Sequence, residues 1–486
     1  MGVTLIYVLV LGGYLLAQFL IGLAARRRAA SAEGFYLGTR SIGAWVTAFS
    51  FVAAYFSSVV IIGGGGFGYK FGMATLWVGA GNTLVGMLLA WIVLGARTRA
   101  MTGRLNTITM PGFFARRFDS PAARLISALV VTVFLALYSV SVVQGMGHVF
   151  EVLIGVPYAL GVLISALVII AYVAIGGYTA VVWTGFVQGI IMILGVVLLT
   201  LAALNRAGGL AQVFSRLGEI EGGKFLATPG VWGWSGLISF TMIVSFGVWG
   251  MPQLVTRFYS IRNVNVLRLG TVLATAGGCM ALLPYFNGAL ARVLFPNLAR
   301  PDLAIPMLVK ETMSPFTSAL FLAGVIAAGM STFASVLIVA VSSLVKDLGR
   351  DSFGAKLSPE REALVSRLVS IGIGLAAVLV ALKPPAMILV ITGFAWAVIA
   401  STTLWPYLFG LYWRRATAAG VVAAMVGGSA VALVWLALKN PLGLHGFVPG
   451  MIVSLLLLVG VSLVTPAPVA AARAAFGDRE PSRESS

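Results

Sequence analysis

GAWVTAFSFVAAYFSSVVIIGGGGFGYK, residues 43–70, is long and apolar enough to cross a membrane, but it is not a uniform hydrophobic helix. Small and hydroxyl residues cluster in its middle, AAYFSS at 53–58, and four consecutive glycines follow at 63–66. In lipid every backbone N–H and C=O needs a partner, so loosened backbone at this depth survives only inside protein or beside a wet cavity. An interrupted helix frees carbonyl oxygens for a cation and directs a half-helix N-terminus at an anion. The stretch therefore predicts the floor of a binding site within the membrane.

The composition places the whole chain in a membrane. Of its 486 residues 60% are hydrophobic and 9% are charged, whereas soluble domains carry about 25% charged residues. A span needs about 20 apolar residues, and the apolar runs predict thirteen spans. They are expected near residues 1–25, 43–66, 73–95, 125–150, 158–178, 182–204, 234–256, 268–294, 315–344, 365–382, 386–411, 416–438 and 448–465. The single cysteine excludes a disulfide framework and a Cys/His metal cluster.

The basic residues predict the orientation. Alternating loops, starting after the first span, hold 23 of the 32 Lys and Arg residues, and the opposite side holds 9. This bias places the richer side in the cytoplasm, with the N-terminus outside and the C-terminus inside. The N-terminal stretch lacks a basic leader and precedes Arg26, Arg27 and Arg28, which is typical of a retained anchor. The net charge of +18 is therefore a topology signal, and nucleic acid is not an expected partner.

The acidic residues argue against a buried proton chain. All Asp and Glu residues are expected in loops, at span edges or in the tail, including Glu151 at the outer edge of the fourth span. The two histidines, His148 and His445, are expected at outer ends of spans. Proton-driven transporters usually carry their proton on an intramembrane Asp, Glu or His. A driving cation is therefore expected on neutral oxygens, which suits Na⁺ better than H⁺, and no plausible set of catalytic groups is present.

A second candidate segment is AGVIAAGMSTFASVLIVAVSSLVKDL, residues 323–348. Ala328, Ser331 and Thr332 are spaced to lie on one face of a helix, where two hydroxyls and a carbonyl offer three oxygens on one patch. The alternative is that the hydroxyls bond to their own helix or pack against a neighbouring one. The residues alone leave both interpretations open.

Four separated runs resemble the signature of the sodium:solute symporter family, in the family's order and over nearly the whole chain. They are RSIGAWVTAFSF at 40–51, GGYTAVVWTGFVQGIIM at 176–192, FGVWGMPQLVTRFYS at 246–260 and GMSTFASVLIVAVSSLVKDL at 329–348. Within the family the chain is most similar to the sodium/pantothenate symporter branch. That similarity rests on the runs at 53–58, 61–72, 250–253, 301–309, 382–388 and 405–413.

The resemblance implies an all-α polytopic membrane protein of about 13 transmembrane helices with a LeuT-like core. That core consists of two inverted five-helix repeats. The implied divisions are an extra N-terminal helix at 1–28, the repeats at 41–204 and 234–413, two C-terminal helices at 416–466 and a cytoplasmic tail at 467–486.

The resemblance also implies a sodium site that joins the first helix of one repeat to the third helix of the other. Carried over by position, its ligands are the carbonyl oxygens of Ala53, Phe56 and Ala328 and the hydroxyls of Ser331 and Thr332. Five neutral oxygens can replace much of the hydration shell of a hard cation. In this context the sodium interpretation is favoured over simple packing. Na⁺ is the expected coupling ion, and no other cofactor is expected.

The side chains expected to face the solute lie between two broken helices. They are Tyr55, Ser57, Ser58, Trp249 and Gln253, with Gln144 of the fourth span as an outside candidate. For Tyr55 and Trp249 interior packing is an equally good interpretation. Lys70 fits an interfacial anchor better than an attractor of anions at the outer mouth. Pro252 predicts a kink within span seven.

One departure from the family concerns the solute. Proline-transporting relatives carry an aspartate at the position of Tyr55, and Trp and Tyr at those of Val244 and Val248. Their absence argues against proline and favours an organic monocarboxylate such as pantothenate, with a short-chain acid or an amino acid as the alternative. The expected function is Na⁺-coupled import across the cell membrane, in the bilayer and without an obligate protein partner. A transporter-derived sensor and a passive channel are the competing hypotheses.

Overall fold

The computed structural model describes residues 3–26, 31–37, 42–263, 265–384, 388–468 and 476. This part of the chain consists of helices and loops without a β-strand, and one isolated bridge joins Ile42 to Ile261. The predicted all-α membrane fold is confirmed. Most of the predicted tail, 467–486, lies outside the described residues.

The described residues form α-helices of very different lengths. In chain order they are α1 Val3–Ala25, α2 Ala32–Tyr36, α3 Ala44–Tyr55, α4 Gly64–Phe71, α5 Leu76–Gly81, α6 Ala90–Arg104, α7 Met110–Phe118, α8 Pro121–Leu153, α9 Tyr158–Arg206, α10 Leu210–Glu219, α11 Gly233–Phe246, α12 Pro252–Tyr259, α13 Val266–Gly278, α14 Leu282–Leu294, α15 Ala304–Thr312, α16 Pro315–Ser342, α17 Pro359–Ala381, α18 Ile388–Tyr412, α19 Ala418–Ala437 and α20 Phe447–Val464. Three π-helical turns, Val59–Gly63, Asn82–Leu89 and Ser343–Arg350, continue neighbouring helices.

Among the described residues, 11 continuous helical segments are long and apolar enough to cross a membrane. One of them, α9, has 49 residues and would be about 74 Å long if straight, far more than a bilayer of about 30 Å. It reverses at Gly177, whose backbone is non-helical with φ 53° and ψ −151°. Tyr172 accordingly interacts with the side chains of Thr184 and Gln188, which a straight helix would place out of its reach. This segment is two antiparallel spans.

The segment Val59–Arg104 also contains a reversal, at Gly72 with φ 70°. Tyr55, which precedes this segment, is therefore hydrogen-bonded to Asn82 beyond the turn. With α3 included as the first half of a broken span, the described chain makes the thirteen crossings that the apolar runs predict.

Two spans are interrupted near their middle. Span two consists of α3, a non-helical step at Phe56–Ser58, and a second half that ends with α4. Span seven consists of α11, a 3₁₀ turn at Gly247–Gly250, extended Met251 and α12, which starts at Pro252. Proline cannot donate a backbone hydrogen bond, so a helix readily restarts there, as predicted.

The end of the bundle that carries α7, with Arg116 and Arg117, is here called the basic face. Span two starts at this face and span seven starts at the opposite face, because an odd number of crossings separates them. The two broken helices therefore run in opposite directions, as inverted repeats require. The boundaries of the repeats, 41–204 and 234–413, stay a prediction.

The four glycines of span two do not form the interruption, which lies before them at Phe56–Ser58. They pack against neighbouring elements instead: Gly63 faces α18, Gly64 faces α14, Gly65 faces α15 and Gly66 faces the turn at Pro301. A Cβ atom on Gly68 would collide with the carbonyl oxygen of Tyr285, and one on Gly288 would collide with the carbonyl oxygen of Gly65. At Gly68 and Gly288 glycine permits close contact between two backbones, which a larger residue would prevent.

Helix α16 lies at the centre of the bundle. All its residues from Phe321 to Ser342 are buried, and it packs against α1, α3, α8 and α9. Arg257 lies in α12, which also contacts α16, and its side chain is only 1% exposed. The predicted span 234–256 ends just before Arg257. This boundary is wrong, because the helix continues through Arg257 to Tyr259.

A short turn, Pro301–Leu303, and α15 lie at the face opposite the basic face. Asp302 is buried there beside Gly66 and accepts a hydrogen bond from the backbone N–H of Ile388 at the start of α18. Burial raises the pKa of this carboxyl to about 6, although Arg300 and the Ile388 N–H oppose the shift. This contact joins the second repeat to span two.

The glycine contact between span two and α14 predicts a stability effect. Gly288→Ala forces two backbones apart and is expected to cost roughly 1–3 kcal/mol, seen as a lower melting temperature in detergent. Gly13→Ala is the matched control, because nothing lies within 4 Å of a Cβ at that position. Equal melting temperatures for the two variants would contradict the close contact.

Burial of Asp302 predicts a pH effect. The ordinary pKa of 3.8 applies to the unfolded chain and a pKa of about 6 to the folded one, so the folded state prefers the neutral acid. Relative to Asp302→Asn, the wild type should lose stability as pH rises from about 4 to about 6, by at most about 3 kcal/mol, and then level off. Unfolding in detergent at several pH values measures this difference. A pH-independent difference would show that the carboxyl is not buried as described.

Candidate functional site

The interruption of span two leaves two carbonyl oxygens at the end of α3 without a partner in their own helix. The Ser57 N–H donates to the Tyr55 carbonyl, and the Phe56 N–H donates to that of Val52. The carbonyl oxygens of Ala53 and Ala54 instead accept hydrogen bonds from hydroxyls of α16. The last carbonyls of any helix lack such partners, and they carry its negative dipole end.

Ser331 connects the two helices. Its Oγ lies 2.5 Å from the Ala53 carbonyl oxygen and 2.9 Å from the Ala328 carbonyl oxygen. A hydroxyl has one proton and can donate it to one acceptor at a time. The Ser331 hydroxyl proton can therefore serve only one of the two carbonyl oxygens at a time, so this fully buried cluster of three oxygens has spare acceptor capacity. Such a cluster suits a small hard cation.

Thr332 reaches the same helix end one residue further along. Its Oγ1 donates to the carbonyl oxygen of Ala54 at 3.0 Å. Phe56 is buried just past the end of α3, and no hydrogen bond joins it to α16 among the described residues. Of the five predicted sodium ligands, the structure brings Ala53, Ala328 and Ser331 into direct contact. Thr332 lies beside them and contacts Ala54. Phe56 follows the end of α3, three residues after Ala53.

The hydrogen-bond partners within this cluster are carbonyl and hydroxyl groups without a formal charge. Within the described residues no group of three or more His, Cys, Asp and Glu side chains could hold a metal ion. Any ion at this place would be held by carbonyl and hydroxyl oxygens, at the negative end of the α3 dipole.

Tyr55 is the best connected of the predicted solute residues. Its hydroxyl lies 2.6 Å from both the Asn82 side-chain oxygen and the Val244 carbonyl oxygen, so it joins spans two, three and seven. Its ring stacks on Phe56 at a centroid distance of 5.0 Å and on Trp396 at 6.4 Å. The structure thus supports the packing interpretation for the Tyr55 hydroxyl, which is fully used between spans. The Tyr55 ring packs against the aromatic rings of Phe56 and Trp396.

The other predicted solute residues are all buried and lie in different directions. Trp249 donates from Nε1 to the Val85 carbonyl oxygen, and Ser58 donates to that of Val142. Ser57 accepts from the backbone N–H of Val59. Gln253 is at the start of α12, and its Oε1 has no hydrogen-bond partner in the part of the chain that the structure describes.

Sequence reasoning missed three residues at this place. Trp396 of α18 lies edge-on to Tyr138 of α8 at 5.8 Å, and Tyr138 interacts with Ser57. Asn82 of span three binds Tyr55. An aromatic residue in an apolar run gives no signal of its own, and only Asn82, a polar residue inside a span, could have been singled out.

Gln144 lies elsewhere, on a cavity of about 340 Å³ at the face opposite the basic face, together with His148, Arg300 and Asp302. Lys70 is exposed at the end of α4, with its Nζ 5.1 Å from the Phe71 ring centre, as an interfacial anchor would be. Gln144 thus lines this cavity together with ionisable side chains.

Two curated relatives align with nearly the whole chain. The osmoregulated proline transporter OpuE of Bacillus subtilis is 31% identical over 485 residues, covering 97% of both chains. A sodium/proline symporter of Staphylococcus aureus is 30% identical over 480 residues, covering 94% of this chain and 92% of the relative. Both relatives carry proline in their names, so these comparisons give the pantothenate branch no support.

Solved structures show the same fold. A Na⁺-coupled sialic acid symporter in a substrate-bound outward-open state superposes with a TM-score of 0.80 at 19% identity, over 96% of this chain and 99% of the other. The nucleobase-cation-symport-1 transporter Mhp1, in a closed conformation, gives a TM-score of 0.57 at 17% identity, over 90% and 96% of the two chains. Residues 35–428 match a family of transporters and not of enzymes. The chain belongs to the sodium:solute symporter family.

Proposed function

We propose that this protein imports a small organic carboxylate together with Na⁺, and that Na⁺ binds where α3 ends against α16. The observation that carries the proposal is the contact of Ser331 with the carbonyl oxygens of Ala53 and Ala328. In this contact one hydroxyl proton faces two carbonyl oxygens, so the three oxygens have acceptor capacity left over for a cation. Membership of a family of sodium-coupled transporters supports the choice of Na⁺.

Na⁺ would couple the two helices by binding their oxygens at the place where the Ser331–Ala53 hydrogen bond now joins them. The Ser331 hydroxyl would turn toward another acceptor and keep its proton. In the proposed site the carbonyl of Phe56 and the hydroxyl of Thr332 complete the ligands by small movements about the non-helical step. A cation that binds one arrangement of spans two and nine better than the other shifts the protein toward that arrangement. Tyr55 follows Ala54 in the chain, and Ser57 is two residues further on. An ordered sodium site would therefore also order these two residues, which are predicted to contact the solute.

The solute is proposed as a carboxylate on two grounds. The relatives named above transport proline, which carries a carboxylate. The residues that surround Tyr55 are aromatic or amide side chains, namely Phe56, Asn82, Tyr138 and Trp396, and none of them offers a carboxylate to a substrate amine. A carboxylate without an obligatory amine fits these surroundings, so pantothenate and short-chain acids remain candidates beside proline.

The basic face is proposed as the cytoplasmic one. The excess of Lys and Arg in alternating loops, 23 of 32, supports this orientation. Inward movement of one Na⁺ then releases roughly 2.3 kcal/mol per 100 mV of membrane potential, before the concentration difference is counted.

Uptake into proteoliposomes tests the function. Labelled proline, pantothenate, pyruvate, lactate and acetate are offered with an inward Na⁺ gradient, and then with choline in place of Na⁺ under a pH gradient. We expect accumulation of at least one of these carboxylates with Na⁺ only. Equal accumulation with choline would refute sodium coupling, and Na⁺-driven uptake of non-carboxylates alone would refute the solute class.

Two alanine substitutions test the site. Ser331→Ala and Thr332→Ala each remove one proposed ligand, and the Na⁺ concentration for half-maximal uptake should rise about tenfold, equivalent to about 1.4 kcal/mol. Ser342→Ala is the matched control, because that buried hydroxyl of the same helix bonds only to its own backbone at Val339. An unchanged sodium dependence in both ligand variants, or an equal change in the control, contradicts the site.

A further inference from the structure

A cavity of about 430 Å³ lies at the basic face and is here called the basic-face cavity. The described residues that line it belong to α2, to α7 and the connection before it, to α8, to the end of span nine and to the start of α17. None of them belongs to the broken spans two and seven. Small-molecule sites typically have volumes of roughly 300–1,000 Å³. The basic-face cavity is therefore large enough for a small ligand, at a place separate from the proposed sodium and solute residues.

Charged side chains dominate the wall of this cavity. They are Arg116, Arg124, Lys346, Arg350, Asp351 and Glu362. Four positive and two negative groups give the wall a net charge of +2. Asp347 lies behind the wall without exposed surface, 3.7 Å from Lys346, and it also feels the more distant charge of Arg124. The cluster stays positive even when this third carboxylate is counted, so the cavity attracts anions.

Both acids of the wall are engaged by two of its cations. Glu362 accepts a hydrogen bond from Arg350 at 2.6 Å, and only 1% of its side chain is exposed. Asp351 accepts from Lys346 at 2.7 Å and from Arg350 at 2.9 Å. Such charge-assisted bonds are strong, so these four side chains compensate one another within the wall.

Arg116 and Arg124 supply the positive charge that remains. One terminal nitrogen of Arg116 donates to the Leu105 carbonyl oxygen at 2.6 Å, and one of Arg124 donates to the Asp351 carbonyl oxygen at 2.7 Å. None of the ion pairs of the described chain includes either arginine. The Nε of Arg124 is buried without a hydrogen-bond partner among the described residues. A guanidinium group has more N–H donors than these single bonds use, so both arginines have donors left for a ligand.

The N-terminus of α7 also borders the cavity, at Gly112, but it is not the source of the anion affinity. The Thr109 hydroxyl accepts from the Gly112 N–H at 3.1 Å and donates to the Asp347 carboxylate at 2.8 Å. A helix start with its own cap and a carboxylate beside it already has its dipole compensated. The attraction for an anion therefore belongs to the two arginines.

We propose that the basic-face cavity binds a phosphate group, held by the guanidinium groups of Arg116 and Arg124. A guanidinium fork matches two oxygens of a phosphate, and a phosphomonoester carries about −1.5 to −2 charges at neutral pH, close to the charge that the wall offers. The cavity holds many times the roughly 30 Å³ of one water molecule, so an organic remainder fits beside the phosphate. Two sources share this chemistry, a soluble phosphomonoester and the headgroup of an anionic phospholipid. The inference goes beyond the proposed function and does not depend on the sodium or solute residues.

Calorimetric titration of the purified full-length protein in detergent, with glycerol 3-phosphate at constant ionic strength, tests the soluble source. We expect saturable binding, and acetate, a monoanion, should bind at least about tenfold more weakly. Arg116→Gln and Arg124→Gln should each weaken the binding of glycerol 3-phosphate about tenfold, because each removes one of two guanidinium partners. Arg104→Gln is the matched control, because that exposed arginine at the end of α6 does not line the cavity. It should leave the affinity unchanged.

Nanodiscs test the lipid source, by comparing the melting temperature in phosphatidylcholine alone with that in phosphatidylcholine plus cardiolipin. A rise with cardiolipin that Arg116→Gln and Arg124→Gln abolish, without binding of glycerol 3-phosphate, supports the site and assigns it to a lipid headgroup. Absence of both effects in the wild type, effects that persist in the two cavity variants, or an equal loss in Arg104→Gln would overturn the proposal. Because Arg116 is exposed, its variant keeps the test decisive if Arg124→Gln does not fold.

Discussion

Two carbonyl oxygens at the end of α3 determine how the centre of this protein is built. A helix that stops in the middle of a membrane cannot leave its last carbonyls bare, since no water is available to them. Ser331 and Thr332 of α16 supply the missing donors to Ala53 and Ala54. This requirement holds spans two and nine together in one register. It also concentrates polar atoms at one buried point of an otherwise apolar interior.

The polar centre of the bundle, at the end of α3, is built from neutral oxygens. Its oxygens belong to backbone carbonyls and hydroxyls, and its buried full charge near the site is that of Arg257, linked to the oxygens through Ser335. Around Tyr55 the walls are aromatic, with Trp396 and Tyr138 contributed by α18 and α8. In the proposed function the ion would meet neutral oxygens toward α16, and the solute would meet aromatic rings toward α18.

Much of this could be foreseen from the sequence. The thirteen crossings follow from apolar runs of the right length, and Pro252 marks the break in span seven. Ser331 was identified because spacing places hydroxyls on one helix face. The break in span two lies within the small and hydroxyl cluster at 53–58. The close contact with Gly288 could not be foreseen, because Gly288 is remote in sequence. Arg257 and Trp396 gave no local signal, because burial depends on contacts between distant segments.

The contact between span two and α14 has a mechanical consequence. Gly65, Gly68 and Gly288 allow two main chains to touch, and such an interface has no side chains that could re-adjust as it slides. We therefore expect the second half of span two and α14 to move together as one rigid body. Its pivot falls on Phe56–Ser58, the non-helical step beside the Ser331 oxygens. A rotation of this rigid body about that step would first change the distances between the Ser331 hydroxyl and the carbonyl oxygens around it.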